Sequence, residues 1–257
     1  MLENEGVLEL RQLSKNFGGL KAVSGLDMVA RPKEIVGLIG PNGAGKSTVF
    51  NLITGVHQPT GGQVFFCGED ITGSLPHAVT KKGIVRTFQV VATFPSFTVL
   101  ENVEAAFHMH SKSGFFRALF NTPYHRQETK RFREQAMEAL EDIGISHLAP
   151  LPAGSLSIGQ QRLLSLAMVL TTQPKVLLLD EIVTGLTVPE VEAVVAEVRK
   201  ISETRRAGIV IVEHHMRVVM NVCSRVVVLK FGEKIAEGTP EEIAQNSEVI
   251  DAYLGGQ

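Results

Sequence analysis

Residues 34–55 read EIVGLIGPNGAGKSTVFNLITG. From Ile35 to Ile39 apolar side chains and one glycine run without a polar interruption, the pattern of a parallel strand covered on both faces. KSTVFNLIT then carries helical spacing and Gly55 supplies a stop. Between strand and helix, Gly40 to Thr48 fits G-x-x-x-x-G-K-[ST], in the setting that this pattern requires. Its glycines let backbone N–H groups turn inward around phosphate oxygens, and the start of the helix adds the positive end of its dipole. Lys46 is expected to reach β and γ phosphates, and Ser47 to offer a hydroxyl to Mg²⁺. Gly40, Pro41, Asn42, Gly43, Ala44, Gly45, Lys46, Ser47 and Thr48 are therefore candidate nucleotide-binding residues.

A second stretch, VLLLDE at 176–181, runs four apolar side chains into two adjacent carboxylates that repel each other and resist burial. A triphosphate with Mg²⁺ gives both a task. One carboxylate serves the metal, and hydrolysis needs a second group to orient or deprotonate the attacking water. Asp180 sits at the carboxyl end of its strand, where open α/β sheets bind ligands, and is assigned to the Mg²⁺ shell. Glu181 takes the catalytic task. Because side chains alternate along a strand, the two acids share a site only if the strand ends between them.

The rest of the chain supports an α/β core. KVLLLD (175–180) and GIVIVEH (208–214) read as buried strands, and Val191, Val194, Val195, Val198 and Ile201 fall at helical spacing between them, with Pro189 at the start. That is a strand–helix–strand crossover. VLELRQL (7–13) and GGQVFFCGED (61–70) read instead as antiparallel strands around turns, and residues from about 99 to 172 as mainly helical. In the last of these helices, Leu163, Leu164, Ala167 and Leu170 form an apolar face. The chain has 257 residues, 44% hydrophobic and 20% charged, enough for a sizeable core. Its formal charge of −2 creates no global basic field, so nucleic acid is not an expected partner. Two cysteines, Cys67 and Cys223, cannot build a disulfide framework; they are expected to be buried small hydrophobes in a protein of reducing cytosol. MLENEGVLEL has no signal-peptide character, and no apolar run approaches the ~20 residues that span a bilayer. Action at a membrane would need a second chain to cross it.

Residues 156–160 read LSIGQ, ahead of a helix, and here the chain resembles the ATP-binding subunits of ABC transporters, whose signature is L-S-G-G-Q with variation at the third place. Gln89 in RTFQ, the acids Asp180 and Glu181, and His214 in IVEHH follow in the family's order, and Phe17 in KNFGGLKAV takes the place of its adenine-stacking aromatic. The resemblance implies a P-loop NTPase core with a mainly parallel sheet and an antiparallel β part, over residues 1–98 and 173–257, and an inserted helical subdomain over about 99–172. It implies ATP and Mg²⁺ as cofactors, with Gln89 at the metal or the attacking water and His214 at the γ-phosphate. Ser157, Gly159 and Gln160 of the signature would cap the γ-phosphate held by a second ATP-binding subunit, making ATP the bridge of a two-fold dimer. KNFGGLKAVSGLDM, GIVRTFQ, residues 107–140 and the tail IAEGTPEEIAQNSEVIDAYLG are similar to the subunits that serve branched-chain amino-acid importers. That subgroup implies polytopic permease subunits, a substrate-binding protein reached through them, and a place on the cytoplasmic face of the cell membrane. The alternatives are the ATPase of a lipid or lipopolysaccharide transporter and a non-transport ABC ATPase.

Three positions depart from the family pattern. Ile182 and Thr187 replace its usual Pro and its Asp or Asn after the catalytic Glu, so Thr187 lacks the group through which the two sites of the dimer communicate; His215 replaces the subgroup's usual Asp. His215 is expected to be solvated or locally bonded. His108 and His110 are read as helix surface rather than metal ligands, and KRFR (130–133) as a solvated helix face. Phe94, Pro95 and Phe97, apolar in an expected loop, are candidates for contact with a membrane partner. Thr239, Pro240 and Glu242 form a capping box that starts a terminal helix.

Overall fold

The computed structural model describes residues 7–87, 93–110 and 123–254. Two compact units result, one drawn from Met1–Gln89, Pro174–Val183 and Val195–Gln257, the other from Val90–Gln173 and Thr184–Val194.

In the first unit the expected apolar strands are β3 (Ile35–Ile39), β7 (Val176–Asp180) and β8 (Gly208–Val212), and every residue in them is buried. They form a six-stranded sheet with β6 (Ile84–Thr87), β9 (Arg225–Lys230) and β10 (Glu233–Gly238), in the order β10-β9-β3-β8-β7-β6. All neighbours are parallel except the β9–β10 hairpin. β7 and β8 pair in register from Val176 with Gly208 to Asp180 with Val212, joined by helix α6 (Val188–Arg205), as the crossover reading expects. Sheet order thus carries β3, which ends at Ile39 just before Gly40, next to β8 and within one strand of β7. That arrangement brings the phosphate loop and the acid pair to the same edge.

Helix α1 (Lys46–Ile53) follows β3 and buries Val49, Phe50, Leu52 and Ile53. A four-stranded antiparallel sheet, β2-β1-β4-β5, completes this unit with β1 (Leu8–Phe17), β2 (Leu20–Ala30), β4 (Gly61–Phe66) and β5 (Glu69–Asp70). β1 runs past the expected end at Leu13. A bulge with Gln12 at φ 48 redirects the strand, so it reaches Phe17 with broken apolar alternation. One core packs inner residues of both sheets around Phe50 and Leu38. α2 (Pro76–Lys82), α7 (Met216–Val222), α8 (Pro240–Gln245) and α9 (Ser247–Leu254) flank it; Thr239 and Glu242 cap α8 reciprocally, as expected.

The second unit packs α3 (Val99–His110), α4 (Pro123–Asp142) and α5 (Ile158–Leu170). Leu164, Ala167 and Leu170 of α5 are buried as expected; Leu163 is only half-buried, and Leu166 takes a buried place instead. On α4, Lys130, Arg131 and Arg133 are exposed, and Arg133 pairs with Glu104 at 3.3 Å. The side chains of His108 and His110 lie outside the described residues.

The cysteine expectation is half wrong. Cys223 is buried, and burial pushes its thiol up to about 12. Cys67 is exposed, because it occupies a turn between β4 and β5 at φ 49. Native protein treated with an alkylating reagent near pH 8 should therefore gain one adduct, at Cys67, and a second only after denaturation. Peptide mass mapping checks this, and rapid labelling of Cys223 in the folded chain would contradict it.

Candidate functional site

The backbone from Gly40 to Gly45 could be built with few other residues. A Cβ on Gly40 would lie 2.1 Å from the Leu229 carbonyl oxygen, and one on Gly45, at φ 104, would lie 2.4 Å from that of Ala22. Gly43, at φ 77, instead has open space around it. The first two glycines let the loop press against its supports, while the third leaves room above it. The turn between β9 and β10 props the loop from outside: the Gly232 N–H donates to the Ala44 carbonyl at 3.0 Å, and the Ser24 N–H to that of Gly232 at 2.8 Å.

Lys46 is buried, and its Nζ donates to the carbonyls of Gly40 at 2.7 Å and Pro41 at 2.9 Å. Burial lowers its pKa below the ordinary lysine value, opposed by the nearby negative charges of Glu181 and Asp180. The loop opens onto a cavity of about 450 Å³ lined also by Phe17, Ser47, Thr48, Glu181, His214 and Phe231. At its rim Phe17 is 43% exposed, with the His57 ring edge-on at 5.3 Å and the Lys15 ammonium 5.0 Å from the ring centre.

β7 does end between the two acids. Glu181 stands at φ 49, outside the strand, and its N–H donates to the Val212 carbonyl at 2.9 Å. A left-handed glutamate is uncommon, and it turns the second carboxylate onto the cavity. There Glu181 Oε1 lies 3.0 Å from His214 Nε2. Asp180, buried, accepts instead from an Arg86 guanidinium nitrogen, while Arg86 Nη1 donates to Asn51 Oδ1 at 2.7 Å. Just below, the buried Glu213 accepts from the Val183 N–H at 3.0 Å, and burial raises its pKa above the usual glutamate value. His215 is exposed, in line with the solvated reading, and its Nδ1 lies 3.6 Å from Glu213 Oε2, too far for a hydrogen bond. Ile182 is buried. Gln89 lies outside the described residues.

In the second unit Ser157 caps α5, and Gln160 returns the bond: its Oε1 accepts from the Ser157 N–H at 2.9 Å. The Ser157 hydroxyl itself donates to Glu190 Oε1 at 2.8 Å, and the Gly159 N–H to the same oxygen at 3.3 Å. Glu190 Oε2 accepts from the N–H and hydroxyl of Thr187, at 3.0 and 2.8 Å. The Thr187 N–H, the Ser157 hydroxyl and the Thr187 hydroxyl hold the Glu190 carboxyl down to about 2.

Sequence reading did not single out Arg86, Glu213 or Glu190. The first two carried a legible signal, a charge inside the apolar runs IVRT and GIVIVEH, where only a paired group is tolerated. Glu190 carried a weaker one, its place three residues after Thr187 at a helix start.

The family model described as ABC transporter matches residues 23–184, and that described as branched-chain amino acid ATP-binding cassette transporter matches residues 233–257. The high-affinity branched-chain amino acid transport ATP-binding protein BraF of Pseudomonas aeruginosa is 41% identical, over 97% of this chain and 98% of that protein. LivG of Escherichia coli, of the same description, is 40% identical over 98% and 99%. The lipopolysaccharide export system ATP-binding protein LptB of Haemophilus influenzae is 32% identical over 98% of both chains. Among solved structures, the ADP conformation of the ATP-binding cassette MJ1267 superposes with a TM-score of 0.85 at 30% identity, covering 98% of this chain and all of that one. A dimeric post-hydrolysis cassette, MJ0796 bound to ADP and phosphate, gives 0.72 at 26% identity over 91% and 98%.

The ion pair between Arg86 and Asp180 generates a prediction. Arg86→Met strands a buried carboxylate, and the nucleotide-free protein should lose about 3–5 kcal/mol, read as a lower urea midpoint. Arg86→Lys should recover part of this, since one ammonium cannot serve Asp180 and Asn51 in Arg86's forked geometry. An unchanged midpoint for Arg86→Met would show the pair to be dispensable.

Proposed function

We infer the function from the family: the chain belongs to the ABC transporters, as an ATP-binding subunit that hydrolyses ATP. It powers import of branched-chain amino acids through a membrane partner. The observation that carries the catalytic reading is the left-handed turn at Glu181, which sets a carboxylate hydrogen-bonded to His214 on the cavity of the phosphate loop. The identities of 41% to BraF and 40% to LivG, against 32% to LptB, support the amino-acid cargo over the lipopolysaccharide alternative.

In this reading the loop amides and Lys46 hold the β and γ phosphates, and Phe17 stacks on the base at the rim. Glu181 orients the attacking water and takes its proton; His214 Nε2–H steadies that carboxylate and then meets the γ-phosphate oxygen. Among the described residues no group of three His, Cys, Asp or Glu could hold a metal alone. The donors fit Mg²⁺ arriving on phosphates: the Ser47 hydroxyl and Asp180 would hold it, with Gln89 assigned there by family resemblance alone. Bound there, Mg²⁺ would neutralise charge on the transferred phosphoryl group. Ser157 and Gly159 would complete the site of a second ATP-binding subunit, so that ATP closes a dimer and hydrolysis opens it. The dimeric MJ0796 cassette supports that arrangement. Further partners are polytopic permease subunits and, through them, a substrate-binding protein. Among the described residues no helix is long and apolar enough to cross a membrane; the subunit rides on its permease, peripheral to the inner face.

Glu181→Gln preserves shape but not basicity. Hydrolysis should fall by about 10²–10⁴ while ATP still binds, and sedimentation in MgATP should find a dimer. Normal turnover by this variant would remove Glu181 from its role.

The permease contact is assigned to the loop before α3. The Asn102 side chain, fully buried, accepts from the Phe94 N–H at 2.7 Å and donates to the Phe94 and Thr98 carbonyls at 3.1 and 2.9 Å. The latched loop turns Phe94 and Phe97 outward, each 44% exposed, with ring centres 5.1 Å apart. Two neighbouring aromatics on a fixed loop offer a pocket-filling anchor to a partner. Replacing both with Ala should leave the fold and isolated ATPase near normal and impair co-purification with the permease; unimpaired assembly would move the contact elsewhere.

A further inference from the structure

We propose that Glu190 is the resident anion of the signature, a carboxylate that holds the donors the γ-phosphate needs and sets how tightly ATP closes the dimer. The proposal rests on the reading that Ser157 and Gly159 complete a neighbouring subunit's site. A serine hydroxyl has one proton and a backbone amide one, and here both go to Glu190 Oε1. A γ-phosphate oxygen approaching the same two donors finds them taken. The two anions cannot share them, so closure is an exchange in which phosphate displaces carboxylate.

The local structure is built around this occupant. A Cβ on Gly159 would lie 2.7 Å from both Cγ and Oε1 of Glu190, so the glycine makes room for the carboxylate before it makes room for any phosphate. Glu190's second oxygen stays on the Thr187 N–H and hydroxyl. Release of Ser157 would therefore leave Glu190 still partnered, which keeps the exchange accessible. The departure at residue 187 becomes intelligible: an aspartate there would place a second carboxylate against Glu190, whereas threonine donates to it.

The test uses the Glu181→Gln chain, in which ATP closes the dimer without consuming it. Adding Glu190→Gln keeps side-chain size but replaces a charged competitor with a neutral one. Charge-assisted bonds are about twice as strong as neutral ones, so the dimer dissociation constant in MgATP, measured by sedimentation equilibrium, should fall at least about threefold. Glu190→Asp, which shortens the reach to Ser157 but retains the charge at Thr187, should act in the same direction and covers the case in which the glutamine variant does not fold. Unchanged or weaker dimerisation by the folded variants would overturn the proposal and leave Glu190 a brace between helix start and signature. Ser157→Ala in the same background separates the underlying reading: if that protein dimerises as well as its parent, the signature does not grip ATP, and the composite site fails whatever Glu190 does.

Discussion

The site depends on one backbone event, the end of β7 between two adjacent carboxylates. In a continuing strand Asp180 and Glu181 would point to opposite faces of a sheet that buries both. The left-handed conformation at Glu181, fixed by its N–H on Val212, breaks that alternation. Each acid then acquires its own counterpart, Arg86 for Asp180 and His214 for Glu181. A residue in this conformation costs of order 1–3 kcal/mol, which the surrounding parallel pairing from Val176 to Asp180 overcomes. Strain is thus placed where a carboxylate must face a cavity.

The phosphate loop shows the same logic with different chemistry. Its glycines are needed less for mobility than for contact, since Gly40 and Gly45 lie against carbonyls of Leu229 and Ala22 with no space for a methyl group. The β9–β10 turn and β2 thereby fix a loop whose own side chains are mostly small. Rigid support of the cradle keeps the amide geometry in place before a ligand arrives.

Much of this was legible because it is local. Continuous apolar runs named the parallel strands, the strand–glycine–helix order named the loop, and the impossibility of two strand neighbours sharing a site required the turn at Glu181. What escaped is pairing over long sequence separations. Arg86 and Asp180 are 94 residues apart, and Ser157 and Glu190 are 33 apart. Each belongs to a motif-sized stretch, yet spacing alone cannot say which distant charge will meet which. The exposed Cys67 and the prolonged β1 escaped for another reason, as both hang on positive-φ residues other than glycine, at 67 and 12, which composition does not announce.

In both stretches proposed to bind phosphate, donors are already engaged within the chain. Lys46 rests on two carbonyls of its own loop, and the signature donors rest on Glu190. Phosphate binding at either stretch is therefore a trade of one set of hydrogen bonds for another, and its net strength is a difference. A cradle with bare donors would bind more tightly and release more slowly. A transport cycle needs ATP to close the dimer and hydrolysis to open it, so both steps must lie near balance. Internal partners that return when phosphate leaves stabilise the open state by the amount they withhold from the closed one, and this keeps a strong phosphate grip reversible.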